Sequence, residues 1–281
     1  MAGLDNFSFF TETFEQSKQR MDGQPEISPH SFRSGSPATR RILLVLWLCF
    51  LLRALFYCAL FPMWEGYDEY SHFAFVQHVA TNASLPLAVQ TRASREIEES
   101  LKLVPLPWLL RNLPAQHLPH DRYWLLPAEE RRQRQNDLRA LPVAWAREPA
   151  AGELLIYEAQ QPPLYYWTLA LPLMLASNLG LPARVLLLRL FGILLASLAV
   201  PLTFAAANRV LSSRKAACMV TALVAVMPGL MVDICRVGND SLALPLYSLL
   251  LYLAIKFFDD PGKSSIAAGL GLCLGLGLLT K

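Results

Sequence analysis

Two acids and an imidazole stand close together in Asp68-Glu69-Tyr70-Ser71-His72. If residues 73–79 continue as a helix from Asp68, then Asp68 and His72, four apart, share one face, while Glu69 lies about 100° round. Such a set is a candidate for proton-transfer chemistry. Trp64, Tyr67 and Tyr70 flank it, and aromatics of this kind favour the lipid headgroup layer. A plainer alternative is a helix cap, because Asp suits the cap position and Glu the first turn. Two further clusters carry polar groups between apolar segments: Glu158 and Gln161 ahead of Pro162-Pro163, and Arg236-Val237-Gly238-Asn239-Asp240. Each has its own plain alternative, an aromatic-belt anchor for the first and a capped helix with a neutralising arginine for the second.

The elements that must position these groups are membrane helices. The 281 residues are 54% hydrophobic and 17% charged, and the charges gather in a few stretches, which is the composition of a polytopic membrane protein. A net charge of +3, with Lys and Arg mostly near segment ends, gives no support to nucleic-acid binding. Cys49, Cys58, Cys218, Cys235 and Cys273 fall inside apolar segments without paired spacing, as small core residues do.

Residues 1–39 are polar and broken by Pro25, Pro29 and Pro37, so they are read as a disordered tail. Residues 42–61 form a retained anchor, too far from the start for a secretory signal. Arg40 and Arg41 place the N-terminus in the cytoplasm, which puts Asp68 on the extracytoplasmic side. Arg53, inside that anchor, needs a protein or water partner. Residues 62–183 make a long outer loop. In it, residues 93–103 have amphipathic spacing and residues 128–139 form a charged, solvated helix, in keeping with short helices on the membrane plane. Asn82-Ala83-Ser84 matches a glycosylation acceptor, a pattern common by chance.

Basic residues sort the later segments. Arg209, Arg214 and Lys215 in one connection, and Lys256 and Lys263 in another, prefer the cytoplasm. For both to share a side with Arg40, one segment after Pro163 must fail to cross. Residues 164–179 are short and hold Pro172, so they are read as an interfacial or re-entrant helix. Five crossings remain: residues 42–61, 185–207, 216–232, 242–257 and 266–279. Asp68, Glu158, Gln161 and Asp240 then share one face. Arg184 lies near it, and Arg189 one turn inside it, where a guanidinium could meet a phosphate.

The order of these motifs resembles a known family. A first membrane helix, "PMWEGYDEYSHFAFVQHVA", a long loop, "YEAQQPPLYYW", a basic-ended helix pair, "VGNDSLAL" and "GLGLLTK" look like the N-terminal module of the C-type (GT-C) integral membrane glycosyltransferases. That group includes protein mannosyltransferases and aminoarabinose transferases, and the likeness is greatest to its bacterial members. The resemblance runs from about residue 44 to residue 281. It implies an all-α, polytopic helix bundle in the bacterial inner or plasma membrane, with a polyprenyl-phosphate-linked sugar as donor and a glycan, lipid or protein as acceptor. It implies Asp68 as catalytic base or acceptor-orienting acid, Glu69 beside it, and Asp240 as a second acid. Asp68 and Asp240 would hold any divalent metal, Mg or Mn. Tyr67, His72, Glu158, Gln161, Arg189, Arg236 and Asn239 are the expected substrate-binding residues. Gln161 departs from the lysine that aminoarabinose-type members place there to touch the lipid phosphate, which passes the charge to Arg189 or Arg236. Family members carry further helices, so the chain is expected to be an N-terminal fragment, inactive if later helices supply needed contacts.

Competing readings are a transporter or flippase for a lipid-linked or anionic substrate, and a non-catalytic scaffold. The first predicts an internal repeat and midplane charges. No repeat is evident, and only Arg53 lies deep.

Overall fold

The computed structural model describes residues 37–66, 68–107 and 117–281. The chain divides into two units, residues 1–40 and 41–281. Of the first, only 37–40 are described, as the opening of a helix, so the expected tail lies almost wholly outside the described residues. The second unit holds the helix bundle.

Helix α1, Pro37–Leu60, has 24 residues and so spans about 36 Å, enough to cross a bilayer. It begins on a proline, whose missing N–H costs nothing at that position. Leu44, Val45, Leu48, Leu52 and Phe56 point outward as a lipid-facing surface would, while Phe50, Ala54 and Cys58 are buried.

The long connection that follows is folded. It contains α2 (Glu69–Asn82), α3 (Arg95–Leu101), a two-residue parallel pair of β1 (Pro105–Leu106) with β2 (Leu118–Pro119), α4 (His120–Tyr123) and α5 (Ala128–Arg139). Ser94 caps α3 by accepting from the Ile97 N–H, the expected start of that amphipathic stretch. Helix α5 buries no residue, as its charge density predicts. Bridges from Arg92 to Leu155 and from Ser94 to Pro149 fasten the return strand. A 3-10 turn, Tyr157–Gln160, then leads into α6, Leu164–Leu175. With 12 residues, about 18 Å, α6 is too short to span a bilayer.

Helices α7 (Leu181–Ala196) and α8 (Ala199–Val210) run on as one apolar stretch of 30 residues. Helix α9 (Arg214–Val226) and α10 (Pro228–Ile234) meet at a 55° bend. Pro228 explains it, since proline lacks the N–H and clashes with the preceding turn. Arg53 Nη1 donates to the Ala225 carbonyl beside this bend at 2.5 Å, and the guanidinium inside α1 thereby finds its partner. Helix α11, Asp240–Asp259, is the third stretch long and apolar enough to cross. Helix α12, Ser264–Leu278, has 15 residues, about 22 Å. Among the described residues, the expected count of five crossings therefore meets three spans of sufficient length, or four when the bent pair is counted as one span.

Two apolar cores hold this together. One joins Phe73, Phe75 and Val76 of α2 to Ile97 and Leu101 of α3, Tyr165, Tyr166 and Leu169 of α6, and Val185 and Leu188 of α7. The other lies in the bundle around Phe50, Ala54, Ile193, Val200 and Met231. The fold is all-α among the described residues, apart from the two short strands.

Candidate functional site

The residue before α2 decides between a cap and a site. Asp68 stands at the cap position, but its side chain makes no capping hydrogen bond. Instead Oδ1 accepts from Arg236 Nη1 at 2.8 Å, and Oδ2 lies 3.7 Å from His72 Nε2, one turn along the helix. Burial alone would raise the Asp68 carboxyl, yet hydrogen bonding to His72 and the Arg236 charge outweigh it and hold the group below its ordinary value.

Glu69 has a different environment. It is fully buried, with Arg189 donating to both oxygens at 2.7 Å each and the Trp64 and Val237 N–H groups each donating at 2.9 Å. Arg189 also donates to the carbonyls of Phe61 and Pro62, at 2.9 and 2.7 Å. This pair ties the end of α1, the start of α2, α7 and the 236–240 stretch to one point. The Arg189 side chain, expected to reach a phosphate, is spent on protein acceptors and is 4% exposed.

The second cluster arrives from the far end of the connection. The Ser71 hydroxyl accepts from the Glu158 N–H at 3.1 Å, which brings Glu158 beside α2. One donor atom each from Asp68, His72 and Glu158 lie within 4.8 Å of one another. Two phenols border this group, with the Tyr70 and Tyr157 rings 6.2 Å apart. The Tyr70 hydroxyl is pushed up to about 12 by burial and then by the Glu158 and Asp68 charges, and the same influences raise Tyr157.

The third cluster docks residue by residue. Arg236 meets Asp68, the Val237 N–H meets Glu69, the Gly238 N–H donates to the Tyr165 hydroxyl at 2.9 Å, and Asn239 Nδ2 donates to Gln161 Oε1 at 3.4 Å. Asn239 also donates to the Thr280 carbonyl at 3.2 Å. Asp240 is not the cap of α11; Asn239 holds that position, and the Asp240 carboxylate pairs with Lys281. Three stretches that are distant in sequence thus meet around the start of α2.

Residues 160–281 match the model of the dolichyl-phosphate-mannose-protein mannosyltransferase family. Over that stretch the chain is similar to a glycosyltransferase family of GT-C type. The matched part runs from Gln160 through α12 and so contains Gln161, Arg189, Arg236, Asn239 and Asp240. Asp68, Glu69, His72 and Glu158 lie ahead of it, so their claim rests on the geometry above. No curated protein and no solved structure matches the chain. The apolar spans are those of a membrane protein, and the family matched over residues 160–281 is one of mannosyltransferases.

Of the residues singled out in the sequence, Asp68, His72, Glu158 and Arg236 come together directly, and Gln161 and Asn239 form a neighbouring pair. Tyr67 lies outside the described residues. The donor atoms grouped with Asp68 are those of His72 and Glu158, and Asp240 is not among them. Sequence reasoning missed Tyr166, whose hydroxyl lies 2.8 Å from His72 Nδ1, and the buried pair of Glu96 with Arg184, to which Gln77 adds a 3.0 Å hydrogen bond. The only signal for Tyr166 was its place in the aromatic run after Pro163. Glu96 and Arg184 carried none, being 88 residues apart.

Proposed function

We propose that the chain transfers a sugar, mannose in the first instance, from a polyprenyl-phosphate carrier to an acceptor hydroxyl at the extracytoplasmic surface of the membrane. The bond between the sugar C1 and the phosphate oxygen breaks, a bond from C1 to the acceptor oxygen forms, and the hydroxyl proton leaves to a carboxylate. Asp68 is the acceptor-orienting and proton-accepting acid, with Glu158 beside it. Arg236 carries the positive charge that steadies the departing phosphate, a role Arg189 cannot fill while Glu69 and two carbonyls occupy it. Gln161 and Asn239 line the approach. The observation that carries this reading is the Asp68–Arg236 contact, an acid and a cation side by side at the mouth of the helices, 13% and 14% exposed. Such a pair offers what an inverting transfer needs, a proton acceptor and electrostatic relief for the leaving group. The family match over the Arg236 side of the site supports it.

The test is donor binding. A photoreactive polyprenyl-phosphate-mannose added to membranes carrying the protein should label the 236–240 stretch or the start of α2, and unlabelled donor should compete. Labelling confined to the bundle's cytoplasmic end would overturn the reading.

A further inference from the structure

We infer that the cavity between the second half of α2 and residues 90–94 and 146–149 binds an anionic saccharide. The cavity holds about 390 Å³, a volume that suits a small ligand, and Asp68, His72, Glu158 and Arg236 are not in its lining.

Its walls are set before any ligand arrives. On one side stand Gln77, His78, Thr81 and Asn82 of α2. On the other, residues 91–95 are held between two neighbouring stretches. The Ala93 N–H donates to the Leu154 carbonyl and the Ala150 N–H to the Ala93 carbonyl, both at 2.8 Å, and the Ile156 N–H donates to the Thr91 carbonyl at 3.0 Å. A site that needs no ordering loses less on binding.

The lining sets the class of ligand. Gln77, Thr81, Asn82, Gln90 and Thr91 bring amides and hydroxyls, which donate and accept as sugar hydroxyls require. Arg92 and Arg147 add two exposed guanidiniums, and among the described residues neither side chain has a hydrogen-bonding or ionic partner. Glu148, the one acid among the lining residues, is already taken by Arg95, which pairs with it at 2.9 Å and lies over the Trp145 ring. Burial holds His78 below its ordinary value, so it stays neutral at pH 7. The uncompensated charge is therefore positive, and guanidinium forks fit a carboxylate or a phosphate. A lipid chain suits the cavity poorly, since its apolar lining is confined to alanines, Pro149 and Ile156.

The cavity also leads toward the acids. Ile156 is in its wall, and two residues on the Glu158 N–H is fixed on Ser71. At about 1.5 Å per residue, Thr81 stands about 20 Å along α2 from Asp68, so a ligand that reaches both places is an extended one. Resting on the transfer reaction proposed above, the saccharide is the non-reacting part of the acceptor, whose remote contacts hold the reacting hydroxyl in place.

Saturation-transfer NMR on the full chain in lipid nanodiscs reads binding without the reaction. Glucuronate and mannose 6-phosphate present the carboxylate and the phosphate separately, with mannose and inorganic phosphate as controls. Either acid sugar should bind, and more tightly than both controls. The double variant Arg92→Gln, Arg147→Gln should weaken binding about tenfold or more, and Thr81→Trp, which fills the cavity from an exposed position, should abolish it. Arg132→Gln, on the solvated helix α5, should change nothing. Failure of both acid sugars to bind, equal binding of inorganic phosphate, or unchanged binding by the double variant overturns the inference. In transfer assays the double variant should raise the acceptor KM while donor photolabelling stays as in the parent, and an unchanged KM overturns the acceptor role. Loss of donor labelling in the parent itself would strike the transfer reading and the acceptor role together, whereas saccharide binding is judged on the NMR alone.

Discussion

Arg189 and Glu69 face each other through two hydrogen bonds of 2.7 Å, 120 residues apart in sequence and both almost wholly buried. Backbone groups of Phe61, Pro62, Trp64 and Val237 complete the set, so the pair fastens four chain segments beneath Asp68. The acid that does the fastening is adjacent to the acid that faces Arg236 and His72.

Removing one partner should therefore unfold the site. Glu69→Gln or Arg189→Leu leaves a buried charge without compensation, at about 3–5 kcal/mol. Thermal unfolding in detergent should show a large loss for either variant. Asp68→Asn should lower the midpoint far less, because its side chain reaches solvent.

Gly66 tests the site without touching a charge. A Cβ there would stand 2.6 Å from Arg236 Cδ and 2.9 Å from Nη1. Arg236 is flexible and can move aside, so Gly66→Ala should fold nearly as well as the parent while separating Arg236 from Asp68. A hydrogen bond to a charged group contributes about 1.5–3 kcal/mol, so sugar transfer should fall by roughly tenfold or more. Unchanged transfer would show that the contact is not used.

Arg53 should matter to the bundle alone. Arg53→Leu strips the Ala225 carbonyl beside the Pro228 bend of its donor. A loss of about 1–3 kcal/mol is expected in thermal unfolding, with Arg53→Lys recovering part of it.

The pairing of Glu96 with Arg184 gives a pH dependence. Burial raises the Glu96 carboxyl, with Arg184 and then Gln77 opposing the shift. The folded chain then holds this proton more tightly than the unfolded chain does. The contribution is complete below the ordinary glutamate value of about 4.3 and fades as pH rises through the raised value. The stability of the parent relative to Glu96→Gln should therefore increase as pH is lowered from neutral toward 4. A difference that shrinks over that range would refute the assignment.

Much of this was legible in the residues themselves. Hydropathy alone placed α1, α7 with α8, and α11. The i, i+4 spacing of Asp68 and His72 set both on one face of α2, and the order of motifs brought Glu158, Gln161 and Asn239 into consideration. Pairing was less accessible. Nothing local tells Arg189 to take Glu69 and Arg236 to take Asp68, since the two acids are adjacent and each arginine lies more than a hundred residues from both, 120 residues for Arg189–Glu69 and 168 for Arg236–Asp68. The Pro228 bend was hidden because residues 216–232 are apolar throughout, and hydropathy does not register a broken hydrogen-bond ladder.

Sidedness has its own check. A reporter fused after Val210 should read as cytoplasmic if Asp68 faces outward, and an extracytoplasmic signal there would reverse the orientation.

The most direct measurement is mannose transfer from polyprenyl-phosphate-mannose by membranes carrying the protein, with Asp68→Asn compared at equal amounts of folded protein. The account predicts that this single exchange of oxygen for nitrogen lowers transfer by about a hundredfold or more. Full transfer by the asparagine variant would contradict it.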